Sequence, residues 1–279
     1  MWRLGAALAL LLRAGAAQEA VESLGRIGSA LRDCPIVYFV HIPKTAGTAL
    51  ISVLKASKDW LQLKHAGIYV GHGKDFGELQ WHQIAARRPR RAIVAEEIGL
   101  GALANRSYPF FDETCFVSTL REPAAWLRSA MAHMRVGFDA VAARKLYFDV
   151  DDVQVSMVSP PPRSSEPPPR ATVLAALERP GAVDALLGMV LGGSGDATAA
   201  LPVANRCEDR RYGRPCSAPT DGETAQLARV VDARYRRDRR LHARVNATRH
   251  GLLLASPDVW ADVLRLPPPP ERRREVPAA

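Results

Sequence analysis

The chain has 279 residues, 47% of them apolar, which suffices for one sizeable buried core with loops and a tail. Its 38 Lys and Arg against 29 Asp and Glu give a formal charge of +9, a balance that favours anionic partners without choosing among nucleic acid, acidic membrane and acidic glycan. No apolar run has the length of a membrane-spanning helix, and the four cysteines lack metal-ligand spacing, which argues against a helical membrane protein and a cysteine-zinc module.

Met1-Trp2-Arg3, the apolar Leu4 to Leu12 and the small residues Ala14-Gly15-Ala16 predict a signal peptide over 1–17, cleaved near Ala17 or Gln18, with a short signal anchor as the alternative. The sequons Asn105-Arg106-Ser107 and Asn246-Ala247-Thr248 agree with entry into the secretory pathway. Ile36 to Ile42 is a short run of β-branched, aromatic and other apolar residues bounded by Pro35 and Pro43, and it predicts a buried strand. From Thr48 onward, apolar residues at Leu50, Ile51, Val53 and Leu54 predict a helix. Between the two lies Lys44-Thr45-Ala46-Gly47, a loop of small residues with one cation. A strand, such a loop and a helix N-terminus together make an anion site, because free N–H groups and the helix dipole converge on bound oxygens and Lys44 adds a full charge.

Further strands are predicted at 67–70, leading into Gly71-His72-Gly73-Lys74, at 92–95, ending at Glu96-Glu97, and at 115–119, ending at Leu120-Arg121-Glu122-Pro123. Helices are predicted over 78–87 and from Pro123 through Trp126, Leu127 and Met131. Strands alternating with helices predict an α/β fold, a parallel sheet with helices on both faces, whose functional loops lie at the C-terminal strand ends. Lys44, His72, Glu96 and Arg121 all fall there.

The Pro- and Ser-rich stretch 158–170 predicts a surface loop. Short helices are predicted at 173–177 and 183–191, a long basic helix over 223–247, a last strand at 252–254 and a disordered tail over 266–279. The arginines of the basic helix form either a solvated face or an anion-binding surface. Cys207 and Cys216 bracket a polar turn and pair in an oxidising lumen or stay as two thiols in the cytosol, Cys115 is expected as a buried core thiol, and Cys34 is unassigned.

His41-Ile42-Pro43-Lys44-Thr45-Ala46-Gly47-Thr48 resembles the 5′-phosphosulfate loop of sulfotransferases that use 3′-phosphoadenosine 5′-phosphosulfate (PAPS), and within them the Golgi carbohydrate group. It lacks the spacing of the nucleoside-triphosphate loop. Arg121-Glu122-Pro123 at a strand end, with Ser129 eight residues after the arginine, is similar to the 3′-phosphate site of the same family. An arginine fork and a hydroxyl further along the helix suit a phosphate. Family members often carry an arginine where Trp126 stands. Val70-Gly71-His72 partly resembles the His-Gly-His of heparan sulfate and uronyl 2-O-sulfotransferases, and Asp238-Arg239-Arg240-Leu241 resembles a late Asp-x-x-Leu helix.

The resemblance covers 36–134 and implies a P-loop-like sulfotransferase domain over 33–265, with PAPS as co-substrate and no metal. It implies cofactor contacts from Lys44, Thr45, Ala46, Gly47, Thr48, Ala49, Arg121 and Ser129, with Lys44 stabilising the leaving phosphate. His72 is expected as the general base, with Glu96 or Glu97 as alternatives. The implied acceptor is a carbohydrate, including anionic polysaccharides, rather than a nucleic acid, in the Golgi lumen or at its membrane. Competing expectations are a non-catalytic glycan- or nucleotide-binding protein on the same fold and a divergent nucleotide kinase.

Overall fold

An apolar residue at every position of β1 (Ile36–Val40) leaves that strand no polar face, so both of its faces must be covered. The computed structural model describes residues 22–47, 49–50, 52–54, 66–70, 91–105, 108, 110–138, 141, 150–160, 169–191 and 220–267. In it β1 lies inside a six-stranded sheet with β2 (Ala66–Val70), β3 (Arg91–Glu96), β4 (Thr114–Leu120), β5 (Ala171–Ala176) and β6 (Leu252–Leu254), in the order β2-β3-β1-β4-β5-β6. The first five strands are parallel, and β6 closes the edge antiparallel to β5. The chain is therefore an α/β protein with a mostly parallel sheet.

Alternation along β1 sorts the core into two layers. Val37 and Phe39 pack with Ile27 and Leu31 of α1 (22–32), with Leu50 and Leu54 of α2, the helix opening at Gly47, and with Val183, Leu186 and Leu187 of a later helix, α6 (Ala182–Val190). Ile36, Tyr38 and Val40 face the opposite layer, built on α3 (Leu100–Asn105), α5 (Val153–Val158), α8 (Arg236–Asn246) and α9 (Pro257–Leu264). A third cluster joins Trp126 and Leu127 of α4 (Pro123–Met134) to Leu227, Val231 and Tyr235 at α7 (Asp221–Arg234).

Strands β2 and β3 lie on one side of β1, and β4 and β5 on the other. The order of connection reverses between β1 and β4, and at such a switch point the loops leaving the two strand ends part to form a crevice. The loops beginning at His41 and Arg121 are those two.

Several expectations need correction. The Ala-rich stretch expected as a helix at 173–177 is strand β5, buried on both faces and laddered between β4 and β6. The single helix expected over 223–247 is two, broken at Tyr235, whose ring is fully buried against Trp126, and α8 restarts where the Asp152 carboxylate accepts the Arg237 N–H at 2.9 Å. Ahead of residue 33, α1 supplies Ile27 and Leu31 to the core. Cys115 is not a free core thiol: it forms a disulfide with Cys34, tying the start of β4 to the end of α1. The helix expected over 78–87, the Cys207 and Cys216 pair, the 1–17 segment and the tail beyond 267 lie outside the described residues. Among the described residues no helix is long and apolar enough to cross a membrane.

Candidate functional site

The loop after β1 turns its carbonyl oxygens into the protein. The Ile42 carbonyl accepts from Thr45 Oγ1 at 2.8 Å, that of Pro43 from Trp126 Nε1 at 2.7 Å, that of Lys44 from Arg121 Nη1 at 3.2 Å and that of Thr45 from Thr119 Oγ1 at 2.5 Å. Ser118 of β4 likewise donates to the Val40 carbonyl at 2.8 Å. Four successive carbonyls are thus fixed by side chains, one from the loop's own Thr45 and three from Thr119, Arg121 and Trp126 along β4, its following link and α4. Lys44 and Ala46 adopt left-handed backbone conformations, with φ of 70° and 64°. Each costs about 1–2 kcal/mol for a residue with a Cβ, and such residues interleaved with ordinary ones curl successive N–H groups toward one point, an anion-binding nest. The main-chain N–H groups of Lys44, Ala46 and Gly47 donate to no acceptor among the described residues.

Gly47 is required by the close approach of His41. A Cβ built on Gly47 would stand 1.7 Å from Cδ2 and 2.0 Å from Nε2 of the His41 ring. That ring is buried, stacks on Phe39 and places Nδ1 3.4 Å from a Glu97 carboxylate oxygen. Glycine is the residue that lets the loop close over the histidine and start α2 there.

The other expected loop residues divide by role. Thr45 is fully buried and its hydroxyl points inward, so it braces the loop. The Ala49 N–H is spent on the Ala46 carbonyl at 3.1 Å. Thr48 lies outside the described residues, as does His72.

Arg121 follows directly on β4 and brings its guanidinium to the Lys44 carbonyl, so the two predicted phosphate sites share one crevice. Burial pushes the Lys44 ammonium below its ordinary value and the neighbouring Arg121 charge adds to that, while Glu97 opposes it. Arg121 is also depressed, by burial first, then by Arg128 against the pull of Glu178. A cluster of cations that mutually disfavour their own charge, beside open amides, is electrostatically suited to a multiply charged anion. His133, in the last turn of α4, is depressed by burial and by Lys44, which brings it into the same field. Ser129 is half-buried on α4 one turn before it, and its hydroxyl makes no hydrogen bond to a described residue.

The two candidate carboxylates separate cleanly. Glu96 ends β3 on the face of Val94 and is 0% exposed, accepting from the Tyr38 hydroxyl at 3.3 Å within the core. Glu97 is the next residue and therefore points to the opposite side, toward the loop. Its side chain is 31% exposed and it lies beside His41 and within the field of Lys44. Of the pair, only Glu97 belongs to the site.

Trp126 stands where the resembling family carries an arginine. It is fully buried, edge-on to Tyr235, and holds the Pro43 carbonyl. The basic face of α7 and α8 is largely engaged: Arg234 pairs with Asp151, Arg239 with Asp232, Arg240 and Arg244 with Asp262, and Arg237 donates to the carbonyls of Leu264 and Leu266. These five arginines are thus paired within their own surface.

Sequence reasoning passed over Gln154 and Glu178. Gln154 Oε1 accepts from the Arg121 N–H and Gln154 Nε2 donates to the Arg121 carbonyl, both at 2.8 Å. Glu178 accepts the Glu122 N–H at 2.9 Å and pairs with His242 at 2.9 Å. A glutamine inside a short apolar stretch was the available signal for the first, and nothing in the local sequence marks the second. Among the described residues no group of three or more His, Cys, Asp or Glu is arranged to hold a metal ion. No protein-family model, curated protein or solved structure matches this chain.

Proposed function

We propose that this protein is a PAPS-dependent carbohydrate sulfotransferase of P-loop-like α/β fold, working in the lumen of the secretory pathway, at the Golgi. The observation that carries the proposal is the loop after β1, with four carbonyls turned inward, the amides of Lys44, Ala46 and Gly47 without an acceptor among the described residues, and Arg121 reaching it from the end of the neighbouring strand. Such a crevice fits a ligand with anionic groups at two ends, and the 5′-phosphosulfate and 3′-phosphate of PAPS are two such groups. The Cys34–Cys115 disulfide agrees with an oxidising lumen.

In this scheme PAPS supplies the sulfuryl group, which passes to a sugar hydroxyl as the bond from sulfur to the 5′-phosphate oxygen breaks and its electron pair stays on that oxygen. Lys44 and the amides of Ala46 and Gly47 face the charge that grows there and stabilise it more in the transition state than before it, with Thr48 assigned to the same task from its sequence context alone. Arg121 and Ser129 hold the 3′-phosphate and so fix the nucleotide's position. A base takes the acceptor proton. His72 is assigned to that task from its sequence context, and the carboxylate of Glu97, partly exposed beside His41 and in the field of Lys44, supports Glu97 as the alternative.

The deciding experiment is transfer of radiolabelled sulfate from PAPS to a panel of neutral and anionic glycans. Transfer to one glycan class establishes the activity and identifies the acceptor. Binding of 3′-phosphoadenosine 5′-phosphate without transfer to any of them moves the protein to the non-catalytic class. Binding of ATP in preference to that nucleotide, with phosphoryl transfer, moves it to the kinases.

A further inference from the structure

Strand β4 pairs with β5 as far as Leu120, and the next residue is the arginine on which the 3′-phosphate assignment depends. Arg121 has left the ladder, yet neither of its backbone groups is left to solvent. Gln154 takes both, accepting from the N–H through Oε1 and donating to the carbonyl through Nε2. A side-chain amide that satisfies the donor and acceptor of one residue fixes the direction of that residue's peptide planes, and hence where its side chain leaves the chain.

Gln154 is itself held. It is fully buried in the first turn of α5, and the Asp238 carboxylate of α8 accepts the N–H of Gln154 at 3.1 Å and of Val155 at 2.7 Å. Asp152, immediately before α5, returns the arrangement by accepting the N–H of Arg237 at 2.9 Å in the first turn of α8. The two helix N-termini cap one another, which supplies partners to four otherwise orphaned donors and locks their relative rotation. One turn along α8, His242 holds Glu178, and Glu178 holds the N–H of Glu122. Two routes thus run from one face of α8 to consecutive residues at the end of β4.

We propose that Gln154, backed by Asp238, is a positioning residue for the 3′-phosphate of an adenine nucleotide, acting through the backbone of Arg121. It touches no ligand itself. The inference rests on Arg121 as the 3′-phosphate ligand of the proposed transferase. A glutamine recruited only to satisfy a buried strand end would matter for stability alone, whereas a positioning role requires a selective effect on ligands that carry the 3′-phosphate.

The test is calorimetric titration of the full chain with 3′-phosphoadenosine 5′-phosphate and with AMP, in the wild type, Gln154→Met and Gln154→Asn, with a thermal melt of each. Methionine keeps the length and removes both hydrogen bonds, and asparagine keeps the amide but is one methylene short. The expected result is a wild-type preference for the 3′-phosphorylated nucleotide that falls about ten- to a hundredfold in Gln154→Met, the scale seen when outer-sphere supports of metal ligands are removed. AMP affinity should stay within about twofold, because a ligand without the 3′-phosphate draws little on Arg121. Gln154→Asn should lie between, and it carries the test alone if Gln154→Met does not fold. A folded variant that keeps the full wild-type preference overturns the positioning role and leaves the transferase reading intact. An equal loss for both nucleotides overturns it too, since the effect is then general. No preference in the wild type overturns both, because no 3′-phosphate site exists to be positioned.

Discussion

Replacing Gly47 by alanine tests whether the loop after β1 is built as described. The new Cβ would lie 1.7 Å from Cδ2, 2.0 Å from Nε2 and 2.6 Å from Cγ of His41, against about 3.5–4.0 Å for a comfortable contact between carbon atoms. The ring would therefore have to retreat by roughly 2 Å. It has little room, being 4% exposed, stacked on Phe39 with centroids 6.2 Å apart and tied to Glu97. Overpacking of this kind typically costs about 1–3 kcal/mol. Taking about 2 kcal/mol, a chain of this size should lose about 4–8 °C in Tm. Affinity for 3′-phosphoadenosine 5′-phosphate should fall as well, because the Gly47 N–H belongs to the nest. Removing the ring relieves the clash, so Gly47→Ala combined with His41→Ala should be less destabilised than the sum of the single changes. Thermal melts of the four proteins in the cycle measure the difference. Additivity within about 0.5 kcal/mol, or a Gly47→Ala protein that melts and binds like the wild type, would refute the packing of His41 on Gly47.

The Cys34–Cys115 bridge joins residues 81 apart, and the chain-entropy account gives about 4.5 kcal/mol for a loop of that length. Changing both to serine should move the urea midpoint down sharply, and an unmoved midpoint contradicts the bridge. Burial pushes Asp238 up to about 8 in the folded state, opposed by the N–H groups of Val155 and Gln154 and aided by Asp152, which is itself raised by burial. The folded chain then holds protons that the unfolded chain has released, so stability should fall as pH rises from about 4 to 8, by at most about 1.4 kcal/mol per unit for one group. Urea unfolding across that range should show the slope flattened in Asp238→Asn, and His133, depressed in the folded state, acts in the opposite sense near pH 6.5. Lys44→Ala should damage both turnover and nucleotide binding, since its charge meets the ligand before and during transfer. Loss of the base should lower kcat by about 10²–10⁴-fold with nucleotide affinity kept. Parallel assays of His72→Ala and Glu97→Gln identify which residue it is, and Glu96→Gln should affect the melt rather than the turnover.

The strands nearest the site were legible because each carries a short apolar stretch, Ile36 to Val40, Ala92 to Ala95 and Cys115 to Val117. Ile36–Val40, Arg91–Glu96 and Thr114–Leu120 are buried on both faces, and few other structures accept such short continuous runs. Strand β5 was not legible, because Ala-Thr-Val-Leu-Ala-Ala has the composition of a helix and only its ladder with β4 and β6 decides otherwise. The break at Tyr235 was equally hidden: its cause is Asp152, more than 80 residues away, capping the second helix. Lys44, Gly47 and Arg121 could be chosen from local pattern because a strand end, a glycine and a helix start leave local marks. The distinction between Glu96 and Glu97 was available in principle from strand alternation, once the end of β3 was known. Gln154 and Glu178 act through backbone groups on other elements, and no spacing rule reports that.

The inward-turned carbonyls of the loop after β1 also bear on the kinetics of the proposed anion binding. Ile42, Pro43, Lys44 and Thr45 are each anchored before any ligand arrives, so association does not have to freeze this stretch, a step that costs about 1–2 kcal/mol of backbone entropy per residue. A rigid receptor with its cations already in place captures an anion without a slow closing motion at the loop itself. Its association rate is then set by diffusion and by long-range attraction, and it should slow steeply as salt shortens the Debye length.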